Sequence, residues 1–301
     1  MPEEGLDWLS RPNLMTMEEM LHICRIMVNE GVSKIRLTGG EPFIRKDLMP
    51  FIRSLTALPG LEQVNITTNG VLTAPYIPEL KKLGIRSINL SLDTVDRNRF
   101  FSITRRDEFP KVMETMEAII SHGIELKINA VVMKGKNIDD IIPLVELARE
   151  LPVSVRFIEE MPFNGGKTHE VDHYWNHFEI LKHISETYPS IVKVPDPAFS
   201  TSYNYAIPGF KGGVGIIAAY SRSFCGTCNR LRLTPEGGLR TCLYDGGSLN
   251  LRDLLRAGNS DMQIVEAIKN SVNHRAVDGW EAENKRSILN PVHESMATIG
   301  G

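Results

Sequence analysis

Two periods of hydrophobic and polar residues alternate along the first half of the chain. Segments with a period of two predict β-strands at 33–42, 62–70, 85–93, 124–135 and 152–162. Segments in which apolar residues recur every three or four positions predict helices at 17–29, 47–57, 77–82, 110–122 and 138–150. Repeated strand–helix units are typical of a parallel sheet, either open or rolled into a barrel. After about residue 195 the sequence becomes rich in turn residues, and one further helix is predicted over 261–272.

The first four predicted strands each keep one polar face. In the first strand, Lys34 and Arg36 alternate with apolar residues, and the polar faces of the next three include Thr67, Ser91 and Lys127. A parallel sheet covered by helices on both sides would be apolar throughout, and so would a filled barrel interior. Because burying unpaired cations costs several kcal/mol each, the pattern favours a barrel with a wide polar lumen that receives an anionic ligand. An open sheet with one solvated face is the alternative, and the fifth strand does not alternate cleanly enough to assign its faces.

A cysteine-rich segment is the strongest candidate for metal binding. The stretch "FCGTCNRLRLTPEGGLRTC" contains Cys225, Cys228 and Cys242. The two-residue spacing of the first pair lets both thiolates reach one metal from a single turn. Arg230 and Arg232 follow at alternate positions, and guanidinium groups beside an open-coordinate cluster favour a phosphorylated or nucleobase ligand that completes the metal shell. A zinc site with a His or Asp as its fourth ligand is the competing interpretation.

Composition narrows the classes of protein. The chain has 301 residues, four cysteines, a net charge of −3 and 42% hydrophobic residues. This charge does not favour nucleic acid, and no apolar run reaches the roughly 18–20 residues that span a bilayer. The N-terminal sequence has no signal-peptide pattern and the clustered cysteines suit a reducing compartment, so we expect a cytoplasmic protein without nucleic-acid or membrane partners. Cys24 lies in an amphipathic helical pattern, where a buried structural thiol is the usual outcome.

Three weaker motifs have ordinary alternatives. The "TGGEP" turn at 38–42 would let a ligand approach the backbone, although an ordinary strand-to-helix turn would look the same. The "HEVDH" segment at 169–173 matches the H-E-x-x-H pattern of zinc proteases, with Glu186 as a third ligand. However, His173 and His177 continue a polar stripe that indicates a solvated face. The terminal Gly300 and Gly301 are typical of a frayed end.

Taken together, these motifs resemble one enzyme family over the range from Met1 to Gly301. The segments "KIRLTGGEP", "TTNG", "INLSLDT", "KINAVVMKG", "RFIEEMPF", the cysteine segment and the final "IGG" are similar, in order, to those of the GTP 3′,8-cyclases. These are radical S-adenosylmethionine (SAM) lyases of molybdenum-cofactor biosynthesis. The resemblance implies an α/β fold of the incomplete TIM-type (β/α) barrel kind and two 4Fe–4S clusters. It also implies conversion of GTP to (8S)-3′,8-cyclo-7,8-dihydroguanosine 5′-triphosphate, started by a SAM-derived radical that abstracts hydrogen from C3′.

The resemblance implies roles for individual residues. Cys225, Cys228 and Cys242 would hold the second 4Fe–4S cluster, whose remaining iron would bind guanine. Contacts to GTP would come from Lys34, Arg36, Thr67, Lys127, Arg230, Leu231 and Arg232, and contacts to SAM from Gly40, Ser91 and Met161. Gly300 and Gly301 would reach the active site and, with Arg230 and Arg232, assist catalysis. The implied partners are an electron donor such as flavodoxin or ferredoxin, cyclic pyranopterin monophosphate synthase as the next enzyme, and a second copy of the chain in a homodimer.

The start of the chain departs from the family pattern. The C-x3-C-x2-C motif of the SAM cluster, the first barrel strand and an upstream arginine would all precede Met1. We therefore expect a barrel lacking its first strand over 1–195 and a C-terminal cluster- and GTP-binding region with a Gly-Gly tail over 196–301. The chain as given would be inactive unless extended upstream, and a truncated, non-catalytic GTP- and cluster-binding homologue is the alternative. A different radical enzyme, such as a peptide modifier, and a zinc hydrolase are weaker hypotheses.

Overall fold

The computed structural model describes residues 11–161, 175–223, 225–247 and 249–287. The helices are α1 (Met17–Asn29), α2 (Leu48–Thr56), α3 (Ile77–Lys82), α4 (Arg97–Thr104), α5 (Phe109–Ser121), α6 (Ile141–Glu150), α7 (His177–Thr187), α8 (Leu251–Arg256), α9 (Asp261–Asn273) and α10 (Gly279–Ser287). The strands are β1 (Lys34–Leu37), β2 (Gln63–Thr68), β3 (Ser87–Ser91), β4 (Glu125–Val132), β5 (Val153–Glu159), β6 (Val192–Lys193), β7 (Ser202–Ala206), β8 (Gly213–Ile217), β9 (Arg232–Leu233), β10 (Gly238–Arg240) and β11 (Leu249–Asn250). Within these ranges, no helix combines the length and the apolar character needed to cross a membrane.

The described chain divides into two compact units. The first contains residues 11–64 and 225–287, and the second contains residues 65–161 and 175–223. The division at residue 195 that the sequence suggests concerns functional regions, and it stays a prediction.

The first unit is built around α1. This helix begins with a capping box, in which the Thr16 hydroxyl accepts from the amide of Glu19 and the Glu19 carboxylate accepts from the amide of Thr16. The Glu19 carboxylate also forms an ion pair with Arg256 of α8, in which Oε1 of Glu19 lies 2.7 Å from Nε of Arg256. The apolar face of α1 packs into a core with β10, α8 and α9, whose buried members are Met15, Ile23, Ile26, Leu239, Leu251, Ile264 and Ile268. Strands β9, β10 and β11 form a small antiparallel sheet in the order β11–β10–β9.

The second unit is built on a mostly parallel sheet. Its strands follow the order β2–β3–β4–β5–β8–β7–β6, in which β2, β3, β4, β5 and β8 are parallel and β7 and β6 are antiparallel to their neighbours. Helix α5 packs against β4 and α6 against β5. The apolar residues of the strands are fully buried, including Ile88, Leu90, Leu126, Ile128, Val155 and Phe157. This α/β sheet with covering helices confirms the predicted fold class at that level.

A buried polar cluster joins the loops that follow β3 and β4. The carboxylate of Asp140 is buried and accepts hydrogen bonds of 2.6 Å from the Thr94 hydroxyl and from Arg99 Nη1. By contrast, Arg97 in the same helix α4 pairs with an exposed carboxylate, that of Asp107. The two arginines therefore hold carboxylates in very different environments.

The sequence pattern locates the main elements well. The five predicted strands and six predicted helices all occur, with α1 and α3 at the predicted bounds. Helix α4 escaped prediction because its sequence, "RNRFFSIT", lacks a clear apolar stripe and buries only Phe100. Strands β6, β9 and β11 contain two residues each, which is too short for a period to show.

Candidate functional site

The C-x2-C pair of the first unit lies in a short turn. Cys225–Thr227 forms a 3-10 turn, and the amide of Cys228 donates to the carbonyl oxygen of Cys225 at 3.2 Å. Both thiols are free and half-buried. One turn of backbone thus presents both cysteines, as the two-residue spacing predicts.

Cys242 lies near this pair although it is distant in sequence. Burial raises the pKa of the Cys242 thiol, a hydrogen bond from the Tyr244 backbone lowers it, and the charges of Asp245, Cys225 and Cys228 raise it again. The thiols must be neighbours for their charges to influence one another in this way. The structure therefore brings together the three cysteines that the sequence singles out.

The arrangement of the thiols bears on which metal group they could hold. Among the described residues, no three His, Cys, Asp or Glu side chains converge on a single metal ion. A structural zinc needs all its ligands in one tetrahedral shell, whereas an iron–sulfur cluster takes each thiolate at a different iron. The choice between a cluster and a zinc ion at these thiols stays a prediction.

Arginines lie beside the thiols. The pairing of β9 with β10 places Arg232 directly opposite Arg240, which is only 6% exposed. Burial lowers the pKa of Arg232, as do the charges of Arg230 and Arg240, while Cys228 and Cys242 raise it. This grouping places several guanidinium groups close to the thiols. Arg240 was missed by the sequence analysis, although it stands two residues before Cys242.

The other residues of interest in the first unit have simpler surroundings. Lys34 and Arg36 occupy the more exposed positions of β1, as the alternation predicts. Gly40 is exposed in the following turn, whereas the positive φ of 134° belongs to Gly39. The Leu231 side chain packs against the apolar core, so a ligand could use only its backbone. Cys24 is half-buried in α1, and burial raises the pKa of its thiol to about 11.

In the second unit, strand register aligns polar residues into two rows. The first row runs across β2, β3, β4, β5 and β8 through Thr67, Asn89, Lys127, Ser154 and Gly213. The second row lies two residues closer to the carboxyl ends and runs through Ser91, Asn129, Arg156 and Gly215. These rows bring the predicted GTP contacts Thr67 and Lys127 together and place the predicted SAM contact Ser91 roughly 7 Å further along.

Several residues of this polar face are buried. Asn65 and Asn89 on β2 and β3 are 3% and 6% exposed, and Ser87 is 2% exposed. The ammonium group of Lys127 donates to the Ser87 hydroxyl at 3.1 Å and to Glu125 Oε2 at 2.7 Å. The polar residues therefore form a partly buried, hydrogen-bonded surface, and the choice between a barrel lumen and an open sheet stays a prediction.

Arg156 is a second cation that the sequence analysis did not assign. Strand β5 alternates strictly, with Arg156 on the polar face beside Asn129 and Gly215. A Cβ on Gly215 would lie 2.3 Å from the Ser202 hydroxyl and 3.2 Å from Cγ of Arg156, so only glycine leaves room here. The alternation was obscured in the sequence because Glu159 occupies a buried, otherwise apolar position.

Glu159 also corrects the interpretation of His177. The Glu159 carboxylate accepts hydrogen bonds from the amide of His177 at 2.7 Å and from the amide and hydroxyl of Ser221, and its Oε1 lies 3.1 Å from Nδ1 of His177. The His177 side chain is only 16% exposed, so its assignment to a solvated face is wrong. An amphipathic pattern alone could not show that a buried acid from β5 meets the start of α7.

Several predicted residues cannot be placed. Gly300, Gly301 and the "HEVDH" segment at 169–173 lie outside the described residues. Met161 is half-buried just after β5, as the last described residue before position 175. Glu186, named for the zinc alternative, lies in α7 and is exposed, 4.0 Å from Lys182.

Comparisons with known proteins identify the family. Residues 6–148 match the radical SAM superfamily, and residues 153–279 match the family described as Molybdenum Cofactor Synthesis C. A GTP 3′,8-cyclase of Syntrophomonas wolfei is 40% identical over 96% of this chain and 90% of its own length. The mitochondrial GTP 3′,8-cyclase of Arabidopsis thaliana is 38% identical over 100% of this chain and 76% of its own length. Molybdenum cofactor biosynthesis protein 1 of Homo sapiens is 42% identical over 91% of this chain, which spans only 43% of that relative's length.

Solved structures share the fold. The structure of Streptococcus suis SuiB bound to S-adenosylmethionine aligns with a TM-score of 0.58 and 16% identity, over 84% of this chain and 60% of that chain. Native anSMEcpe with bound AdoMet and the Cp18Cys peptide aligns with a TM-score of 0.54 and 15% identity, over 93% and 85% of the two chains. The fold and the superfamily match define a radical SAM protein. Within that class, the chain belongs to the GTP 3′,8-cyclase family of molybdenum-cofactor biosynthesis.

Proposed function

We propose that this protein is a radical SAM lyase that cyclises GTP in molybdenum-cofactor biosynthesis. The observation that carries the proposal is the 40% identity to a GTP 3′,8-cyclase over 96% of this chain and 90% of that relative. The match covers nearly the whole of both chains, so it leaves little of the chain for a different substrate site. The arrangement of the parallel strands as an incomplete barrel is part of the same proposal.

Cys225, Cys228 and Cys242 would hold a 4Fe–4S cluster. The C-x2-C turn and the nearness of Cys242 to it support this ligand set. When bound, the cluster supplies an iron with an open coordination position for a purine atom, and SAM supplies the radical chemistry. The contribution of the chain itself is to hold three thiolates in half-buried surroundings beside positive charge.

The arginines would bind the nucleotide. Arg230 and Arg232 can donate several N–H groups to purine or phosphate oxygens, and their fixed geometry favours planar or bidentate recognition. An anionic ligand would also offset the repulsion between Arg232 and Arg240. Lys34 and Arg36 would add further charge toward the triphosphate, from exposed positions on β1.

The polar rows of the second unit would bind further ligand groups. Lys127 uses two described hydrogen bonds, to Ser87 and Glu125, so one of its three N–H groups can reach a substrate oxygen. Thr67 lies in the same row and adds a hydroxyl group. Ser91 in the next row would contact SAM, together with Gly40 and Met161. Arg156 joins these residues as a cation for a carboxylate or phosphate.

The proposal also includes two residues outside the described ranges, several partners and a compartment. Gly300 and Gly301 would assist catalysis. An electron donor such as flavodoxin or ferredoxin, cyclic pyranopterin monophosphate synthase and a second copy of the chain would be partners. The cytoplasm would be the compartment, although one relative is mitochondrial by name.

Anaerobic reconstitution tests the proposal. The chain should bind about four iron atoms at the three cysteines, and calorimetry should detect GTP binding. Arg232→Gln should weaken GTP binding by about 10-fold or more through loss of charged hydrogen bonds. Arg97→Gln, which removes an exposed cation from helix α4, should leave GTP affinity unchanged. Binding of zinc in place of iron, or equal GTP affinity in both variants, would contradict the proposal.

A non-catalytic binding protein is the second candidate. The grouped cysteines and the polar rows could bind a cluster and GTP in such a protein too, so binding alone does not separate it from a lyase. SAM cleavage by the 301-residue chain, compared with a version extended upstream, separates the two. Cleavage by both would dismiss the binding protein, and cleavage by neither would dismiss the lyase.

A further inference from the structure

Asp245 closes the loop that carries Cys242. Its Oδ2 accepts three hydrogen bonds of 2.8 Å, from the amide and hydroxyl of Thr241 and from the amide of Cys242. Its Oδ1 accepts from the amide of Gly247 at 3.0 Å. The carboxylate therefore accepts from four donor groups, which belong to three residues on either side of it in the loop from Arg240 to Gly247.

The backbone of the same residue completes the loop. The carbonyl oxygen of Asp245 accepts from Nη1 of the buried Arg240 at 2.9 Å, and its amide donates to the carbonyl oxygen of Cys242 at 3.4 Å. Gly247 has φ of 70°, and a Cβ there would lie 3.3 Å from Cγ of Arg240. Asp245 thus ties Cys242 to a buried arginine and to the point where the chain turns toward β11.

The number of these hydrogen bonds points to a structural role. Four hydrogen bonds to one carboxylate indicate that its role is geometric, since charge-assisted hydrogen bonds are among the strongest that such a loop can form.

We infer that Asp245 is a positioning residue for the metal centre, which holds Cys242 in the geometry that lets it share a cluster with Cys225 and Cys228. The inference rests on the proposed cluster site. It adds an outer residue that is not itself a ligand, of the kind that fixes ligand orientation at many metal sites. The sequence position, three residues after the last cysteine, gives no sign of this role because an acid in a glycine-containing turn is ordinary.

A matched control exists in the second unit. Asp196 also ties a loop together with its carboxylate, which accepts from the amide and Nδ2 of Asn204 at 2.8 Å and from Nζ of Lys193 at 2.7 Å. No cysteine lies near it in sequence. Asp196→Ala therefore removes a comparable set of hydrogen bonds in a loop without metal ligands. It is the control for any effect of a general loss of stability.

The first test measures cluster retention. After anaerobic reconstitution of the full chain, Asp245→Ala should release iron to a chelator about 10-fold faster than wild type, a size typical of lost outer-shell contacts. Asp196→Ala should release iron at the wild-type rate. The rate of iron release from Asp245→Asn, which keeps one acceptor oxygen, should lie between these two rates. This variant also provides the test if the alanine variant does not fold. Equal release rates in all four proteins would overturn the inference.

The second test needs no iron. In metal-free protein, alkylation of Cys242 should become several-fold faster in Asp245→Asn and Asp245→Ala, because the loop opens, while alkylation of Cys24 should not change. Unchanged Cys242 reactivity would overturn the role of Asp245 by itself. Failure of the proposed function looks different, because wild-type protein would then hold no iron while the alkylation difference remained.

Discussion

A buried carboxylate at the end of β3 yields a quantitative prediction for stability. Asp93 follows this strand, and its Oδ1 accepts a hydrogen bond of 2.8 Å from the amide of Val131. Burial raises the pKa of Asp93 from 3.8 to about 6, the hydrogen bond from Val131 lowers it, and the charge of Asp140 raises it. The residue is half-buried, and loss of hydration is the largest cause of the raised pKa. The ionised form is therefore unfavourable in the folded state.

The sign of the pH dependence follows from linkage. Since the folded pKa of Asp93 lies above the unfolded value, the folded state binds more protons between pH 3.8 and about pH 6. Stability is lost as the pH rises through this window and stays reduced above it. At 1.36 kcal/mol per pH unit, the difference between 3.8 and about 6 sets an upper limit of about 3 kcal/mol. Partial exposure of the residue reduces that figure.

The substitution Asp93→Asn tests this directly. Asparagine keeps an oxygen for the amide of Val131 but carries no charge, so it should raise the free energy of unfolding by about 1–3 kcal/mol at pH 8. The gain should shrink toward pH 4. Urea unfolding of metal-free, reduced protein at several pH values measures it, provided that unfolding is reversible. A gain that does not vary with pH, or a loss of stability at pH 8, would refute the reasoning.

An exposed carboxylate serves as the control. The hydrogen bond from Arg97 lowers the pKa of Asp107, which is the opposite direction to Asp93. Asp107→Asn should therefore give no gain in stability at pH 8. If both asparagine variants gained equally, loss of net negative charge would be the cause rather than burial.

Two further pairs of variants test steric and ionic features. Gly70 and Gly84 have almost the same φ, 81° and 82°, but only at Gly70 would a Cβ lie 2.6 Å from Cδ1 of Leu90. Gly84→Ala should thus lower the free energy of unfolding by about 1 kcal/mol, from backbone strain alone. Gly70→Ala should lower it by about 2–4 kcal/mol because of the added clash. Urea unfolding measures both values, and equal losses would show that Leu90 moves aside. Arg99→Met, which leaves a buried carboxylate without its cation, should lower the melting temperature more than Arg97→Met, whose partner is exposed. Equal melting temperatures would mean that the buried carboxylate becomes protonated or hydrated at little cost.

Much of the architecture could be predicted from local pattern. Helix α1 appears at its predicted bounds because its apolar spacing and its capping residues, Thr16 and Glu19, lie within one short stretch. The C-x2-C pair could be recognised for the same reason, since a turn of four residues places both thiols. Periodicity and spacing act over a few residues, so the sequence by itself determines them.

The tertiary structure decided which distant residues meet. Strand register placed Arg156 beside Asn129, and the pairing of β9 with β10 placed Arg240 opposite Arg232. Nothing in the local pattern selects those partners, because each lies on a different strand and register depends on the packing of whole elements. The same holds for His177, whose buried partner Glu159 is 18 positions away. The period of a segment shows which side chains share a face. Their burial and their hydrogen-bond partners depend on which other elements pack against that face.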